Sequence, residues 1–284
     1  MASKTGFTAP PSETLVVGEG FMLSAVDPSS TPGFAGKKRD AEQLLAERTK
    51  RLSLLQEQLF AQSKFGGHRS VLLVLQAMDT AGKGGIVSHV VGSVDPQGIQ
   101  LHAFKAPTEE EKQHDFLWRI EKEVPRPGMV GVFDRSQYED VLIHRVHGWA
   151  DEPELQRRYA AINEFEAGLS EQGTTLVKVM LHIGADTQKE RLTARLADPA
   201  KHWKYNPGDL TERALWPQYM QAYQLAFDAT SPATAPWYVV PADKKWYARL
   251  AVQELLIEAF NSLALSWPAV DFDVAAERQR VSES

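Results

Sequence analysis

A lysine set between glycines, two aspartates that follow apolar runs, and a string of arginines and lysines are the residues of this chain most able to do chemistry. The first lies in Val71-Leu72-Leu73-Val74-Leu75-Gln76-Ala77-Met78-Asp79-Thr80-Ala81-Gly82-Lys83-Gly84-Gly85. An apolar β-rich run breaks into a short loop, and the helix-compatible Ile86-Val87-Ser88-His89-Val90 follows. Strand, glycine loop and helix in that order form a phosphate cradle. Loop N–H groups point inward, the helix start adds partial positive charge, and Lys83 adds a full one. Gly82, Lys83, Gly84 and Gly85 are therefore the candidate phosphate-binding residues. The loop departs from the common pattern twice. Ala77 stands where the first glycine usually is, and Gly84 stands where a hydroxyl would hold magnesium. Asp79 is the substitute oxygen ligand within the loop, because a carboxylate there repels phosphate unless a divalent cation lies between them.

The second group is Val130-Gly131-Val132-Phe133-Asp134-Arg135-Ser136-Gln137-Tyr138-Glu139-Asp140. An apolar strand ends on an acid, which places Asp134 at the carboxyl edge of a sheet, where such folds bind ligands. Asp79 and Asp134 are thus the candidate metal ligands, and Asp134 can also cap the next helix. Arg135 is placed to fork onto the oxygens of a migrating phosphoryl group. Glu139 and Asp140 lie one turn into the helix, where salt bridging competes with a role in the site.

The third group supplies cations. Glu190-Arg191-Leu192-Thr193-Ala194-Arg195 puts two arginines four apart on one helix face. Lys201 and Lys204 follow a break at Asp198-Pro199. Four cations in a short segment of an acidic protein read as a lid, about residues 186–209, that lowers charge onto a bound anion. Other features carry less. His144 and His147 lack a third ligand and read as packed or solvated. Lys105 sits near the expected ligand edge, and Trp216, Tyr219, Tyr223 and Phe227 follow the spacing of a helix core. Lys37-Lys38-Arg39 reads as a solvated charge run, with contact to an extended anion as the other option.

The elements that position these residues alternate. Strands are predicted at Val71–Leu75, Leu101–Phe104, Met129–Phe133, Thr175–Ile183 and Trp237–Val240. Helical segments fall at 37–62, 109–122, 136–147, 154–172, 186–198, 210–229 and 243–264. The alternation implies an α/β fold, three layers around a parallel sheet. Residues 1–36, rich in Pro, Ser, Thr and Gly, read as a loosely packed arm. Residues 37–270 read as one α/β domain and 271–284 as a C-terminal tail, whose last residues, about 275–284, are polar and expected to fray.

Bulk properties bound the options. The 284 residues are 43% hydrophobic, enough for one large domain. A net charge of −6 argues against indiscriminate nucleic-acid binding. The absence of cysteine excludes disulfides and thiolate chemistry. No apolar run has the length of a membrane span, and the start lacks a signal-peptide pattern, so the expectation is a cytoplasmic protein.

The three groups, in this order, resemble the polyphosphate kinase 2 family. The resemblance continues through Trp203-Lys204-Tyr205, Trp216-Pro217-Gln218-Tyr219, Thr230-Ser231-Pro232-Ala233-Thr234-Ala235-Pro236-Trp237 and the stretch from Val239 to Arg249. It spans about residues 37 to 265. It implies a P-loop kinase fold like that of thymidylate kinase with a helical lid, and assembly as homodimers or homotetramers. It also implies transfer of a terminal phosphoryl group between inorganic polyphosphate and AMP, ADP or ATP with magnesium, manganese being the other candidate ion. Arg135-Ser136-Gln137-Tyr138-Glu139-Asp140 resembles the class acting on both nucleoside mono- and diphosphates, although Asp134 is often Asn in that class. Guanine nucleotides stay open as acceptors.

On this reading polyphosphate runs past Lys83, Arg191, Arg195, Lys201 and Lys204, and the nucleotide phosphate sits near Arg135, Glu139 and Arg145. Two alternatives stand beside it: an ATP-dependent nucleoside or nucleotide kinase, and a non-catalytic phosphate sensor.

Overall fold

A computed structural model describes residues 6–284. Five parallel strands form one sheet in the order β2-β3-β1-β4-β5. They are β1 (Ser70–Ala77), β2 (Ile99–Ala103), β3 (Val130–Asp134), β4 (Thr174–His182) and β5 (Trp237–Pro241). The apolar runs form central strands because both faces of a parallel sheet are covered. Alternation then divides one strand between two cores. Val71, Leu73 and Leu75 pack with one helical layer, and Leu72 and Val74 with the other. Each such fully buried aliphatic side chain contributes about 1.5–3 kcal/mol.

Helices α1 (Lys38–Ser63), α2 (Lys83–His89) and α8 (Lys245–Ser262) cover the first face. Helices α3 (Glu139–Val146), α4 (Glu152–Glu171) and α7 (Trp216–Thr230) cover the second. Above the carboxyl edge lie α5 (Ala185–Ala197), a 3-10 turn at Pro199–Lys204 and α6 (Gly208–Ala214). A last helix, α9 (Val274–Ser282), buries none of its residues. No helix among the described residues is long and apolar enough to cross a membrane.

Several expectations need correction. The described part of the arm, residues 6–36, is packed, not loose; residues 1–5 lie outside the described residues. Phe7, Leu15, Val17, Leu23 and Phe34 are all buried. The Tyr247 hydroxyl donates to Pro32 O at 2.7 Å. Val17 N donates to Trp237 O, and Val239 N to Leu15 O, so the arm covers the free edge of β5. Its apolar residues, spaced among prolines, carry no helix or strand period yet still bury area.

The helix expected over 109–122 is two short turns, Glu111–Gln113 and Trp118–Glu121. Thr108 and Glu111 do cap each other, but the Asp115 carboxylate accepts from Leu117 N and starts the chain afresh. The helix expected over 210–229 breaks at Leu215, two residues before Pro217. The tail is helical because Asp273 caps it, accepting from Ala275 N and Ala276 N.

Candidate active site

From β1 the chain crosses to β2 and returns through β3 on one side, then passes to β4 on the other, so the loop after β1 opens at a switch point of the sheet. There the structure forms a cleft of about 900 Å³. Its floor is the loop 79–82 and the start of α2, whose first N–H groups have no helical acceptor. Gly82, at φ +122°, turns the chain in a region that side chains rarely adopt. Gly84 and Gly85 keep the backbone bare toward the cleft; a Cβ on Gly85 would approach the Arg249 guanidinium.

Asp134 is paired in register with Leu75 on β1, so the ends of β1 and β3 deliver both aspartates to one edge. Asp79 Oδ1 accepts from Arg135 Nη2 at 3.3 Å, and Asp134 Oδ1 lies 3.9 Å from Lys83 Nζ. Two carboxylates facing two cations across one cleft suit a phosphoryl group with its metal. Carboxylate is a hard oxygen donor, and two carboxylates with phosphate oxygens and waters form a usual donor set for a small divalent cation. The Thr80 hydroxyl, in the same loop, is buried without a partner and adds a further oxygen. The residues therefore fit a hard divalent ion.

Arg135 has φ +65° and is held against three acids. Burial works against its charge, but Glu139, Asp79 and Asp134 outweigh it and keep the guanidinium firmly protonated. Glu139 is half-buried behind it. Burial pushes its carboxyl above the usual range despite the attraction of Arg135 and Lys83. The Gln76 amide, oriented to satisfy both neighbours, donates to Glu139 Oε1 at 2.9 Å and accepts from Ser136 N at 3.3 Å.

The lid cations reach the cleft, but each is already engaged. Arg191 donates to the carbonyls of Thr80, Ala81, Ala242 and Asp243 at 2.7–3.0 Å, tying the phosphate loop to the segment after β5. Arg195 donates to Lys204 O and faces Asp209 at 3.6 Å. Lys201 pairs with Asp198 at 2.7 Å. Lys204 lies over the ring of Trp203.

Arg145 is not brought to the cleft. It forks onto Glu152, the first residue of α4, at 2.8 and 3.0 Å. His147 binds Glu212 and stacks on Trp149, and His144 contacts Arg158, so neither needs a metal. Tyr219, Tyr223 and Phe227 are core residues.

Lys245 and Arg249, at the start of α8, line the cleft and were not anticipated as site residues. The signal was legible: two cations four apart at the start of a helix that follows a strand's carboxyl end. Burial pushes the Lys245 ammonium down, and repulsion from Arg191, Arg249, Lys201 and Arg195 adds to it. Like charges this crowded call for a polyanion.

A family model for polyphosphate kinase 2 matches residues 35–265. The chain belongs to the polyphosphate kinase 2 family. It is 44% identical over 248 residues to the AMP/ADP-polyphosphate phosphotransferase of Meiothermus ruber, covering 87% of this chain and 91% of that protein. It is 41% identical over 265 residues to the ADP-polyphosphate phosphotransferase of Rhodopseudomonas palustris, covering 89% and 90%. The crystal structure of polyphosphate kinase 2 from Arthrobacter aurescens superposes with a TM-score of 0.97 at 68% identity, covering 98% of each chain. The parallel sheet, phosphate loop and helical lid are thus the P-loop kinase fold of the polyphosphate kinase 2 family.

Proposed function

We propose that this chain transfers a terminal phosphoryl group between inorganic polyphosphate and adenine nucleotides, taking AMP to ADP and ADP to ATP with magnesium. The observation that carries this reading is the cationic wall of the cleft. Lys83 and Arg135 serve the reacting phosphoryl group, while Arg195, Lys201, Lys204, Lys245 and Arg249 continue beyond it. Together these side chains supply more positive charge than a nucleoside triphosphate needs to be neutralised, which favours polyphosphate over an ATP-dependent kinase. The names of the Meiothermus and Rhodopseudomonas relatives support the same substrates.

Phosphoryl transfer asks for positioning and charge stabilisation more than covalent participation. The loop N–H groups and Lys83 hold the donor phosphates. Arg135 forks onto the migrating group, and its charge is worth most in a cleft that excludes water. Arg191 keeps the loop in shape, and the nearby charge of Glu139 supports that of Arg135. Asp79 and Asp134 would hold magnesium, which would neutralise phosphate charge.

The test is incubation with long-chain polyphosphate and AMP, without ATP, followed by luciferase detection. ATP should appear, and chelation by EDTA should abolish it. Failure to form ATP or ADP from polyphosphate, with activity restored by ATP as donor, would favour the ordinary kinase. GMP and GDP run beside AMP and ADP would show the base preference.

A further inference from the structure

Beneath the Asp134–Arg135 turn, the core contains a charged cluster for which the transfer reaction has no direct use. Lys178 on β4 and Glu166 on α4 are 0% and 1% exposed, and Nζ lies 2.6 Å from Oε2. Glu166 Oε1 accepts from the Tyr138 hydroxyl at 2.8 Å and from Gln137 Nε2 at 3.0 Å. Lys178 Nζ also donates to Tyr138 Oη at 3.2 Å and to Thr230 O at 2.7 Å. The Trp237 indole donates to the Thr230 hydroxyl, and its ring meets Tyr138 edge-on at 4.6 Å.

Such a pair is a poor way to stabilise a core. Two ions removed from water recover little more than they lose, and an apolar pair of similar volume holds a core at least as well. Burial pushes Glu166 up and Lys178 down, each against the attraction of the other. The cluster is distinguished instead by where its hydrogen bonds land. Gln137 and Tyr138 are the second and third residues after Arg135, whose positive φ is rare for a side-chain-bearing residue. Strained backbone of that kind persists at a functional site only when its surroundings over-determine it. Arg135 N donates to Leu75 O, and Gln76 fixes Ser136. Those contacts hold one side of the turn, and Glu166 with Lys178 hold the other.

We infer that the Lys178–Glu166 pair is a positioning device for the transfer reaction: it anchors Gln137 and Tyr138 and so aims the Arg135 guanidinium at the reacting phosphoryl group. The inference rests on the function proposed above. Its consequence is a loss of turnover beyond any loss of stability. Lys178→Met combined with Glu166→Leu should lower the melting temperature, because it takes hydrogen-bond partners from the buried Gln137, Tyr138 hydroxyl and Thr230 carbonyl. It should lower kcat about 10- to 100-fold, as misplacement of a group by an ångström does. KM for AMP and for polyphosphate should change less than threefold, and amide hydrogen exchange should rise in peptides spanning 134–139. A purely structural pair would change stability and leave kcat within twofold, with exchange at 134–139 unchanged; that result overturns the inference.

If the double variant does not fold, Gln137→Met with Tyr138→Phe removes the two hydrogen bonds to Glu166 while leaving the ion pair. The same loss of kcat is expected, and a loss under twofold again overturns the inference. A wild-type protein inactive with polyphosphate would reject the proposed function. Exchange at 134–139 in these variants would still decide whether the pair holds the turn.

Discussion

The loops carrying Asp79 and Asp134 end neighbouring strands, yet they are held from opposite directions. The loop after β1 hangs from the lid helix. Arg191 holds the carbonyls of Thr80 and Ala81, and Gln188 Nε2 holds Asp79 O at 3.1 Å. Gln188 is in turn held by Arg213 from α6. The turn after β3 is held from below, by Glu166, Lys178 and Gln76 inside the core. The lid helix α5 thus holds the backbone of the phosphate loop, and the core holds the backbone of the Arg135 turn; the Arg135 guanidinium joins the two through Asp79.

The largest effect that would sharpen this contrast is expected at the turn itself. Arg135→Ala should lower kcat by roughly two to three orders of magnitude, the usual loss when a transition-state charge contact is removed. Its side chain is 42% exposed, so the melting temperature should hardly move. A variant with near wild-type kcat would remove Arg135 from the reaction.

A smaller, mixed effect belongs to Arg191→Ala. Four carbonyls lose a charged donor, which should destabilise the fold by about 2 kcal/mol and reduce kcat/KM about tenfold. Arg191→Lys should recover little, because an ammonium cannot fork onto two pairs of carbonyls. Hydrogen exchange should rise at 78–83 and remain unchanged at 134–139. A rise in both segments would break the contrast between the two loops.

The smallest effect concerns Glu139. Burial pushes its carboxyl above the ordinary range, so the folded protein favours protonation there more than the unfolded chain does. The sign follows: this residue costs no stability below the ordinary glutamate pKa, and it costs progressively more as pH rises toward the folded value. Glu139→Gln should therefore raise the melting temperature by a few degrees at most at neutral pH. The gain should vanish in acid, near pH 4. A lower melting temperature at neutral pH would show that pairing with Arg135 outweighs burial.

Much of this was readable before folding. The five strands fall within about two residues of their predicted runs; the central strands are legible because a parallel strand buried on both faces is apolar throughout, whereas β2 is a half-exposed edge strand. The phosphate loop and the acid closing β3 were equally legible, since local backbone chemistry demands Gly82 and the strand end places Asp134. Lys245 and Arg249 were overlooked as site residues because they lie about 160 residues from Lys83, and nothing local says that α8 starts beside α2. Arg145 misled for the converse reason. It lies close in sequence to Arg135, but Glu152 at the start of α4 captures it. The arm misled because burial needs no periodicity when the chain is irregular.

The order of residues by itself determined the element types, the parallel sheet and the kinds of group at its carboxyl edge, because those follow from apolar runs, glycines and chain punctuation. Only the tertiary structure decided which cations share the cleft, that Arg191 acts as a strut, and that a lysine and a glutamate meet in the core beneath Arg135. These depend on distances between segments far apart in the chain, and a side chain's role changes with whichever charge or carbonyl reaches it first.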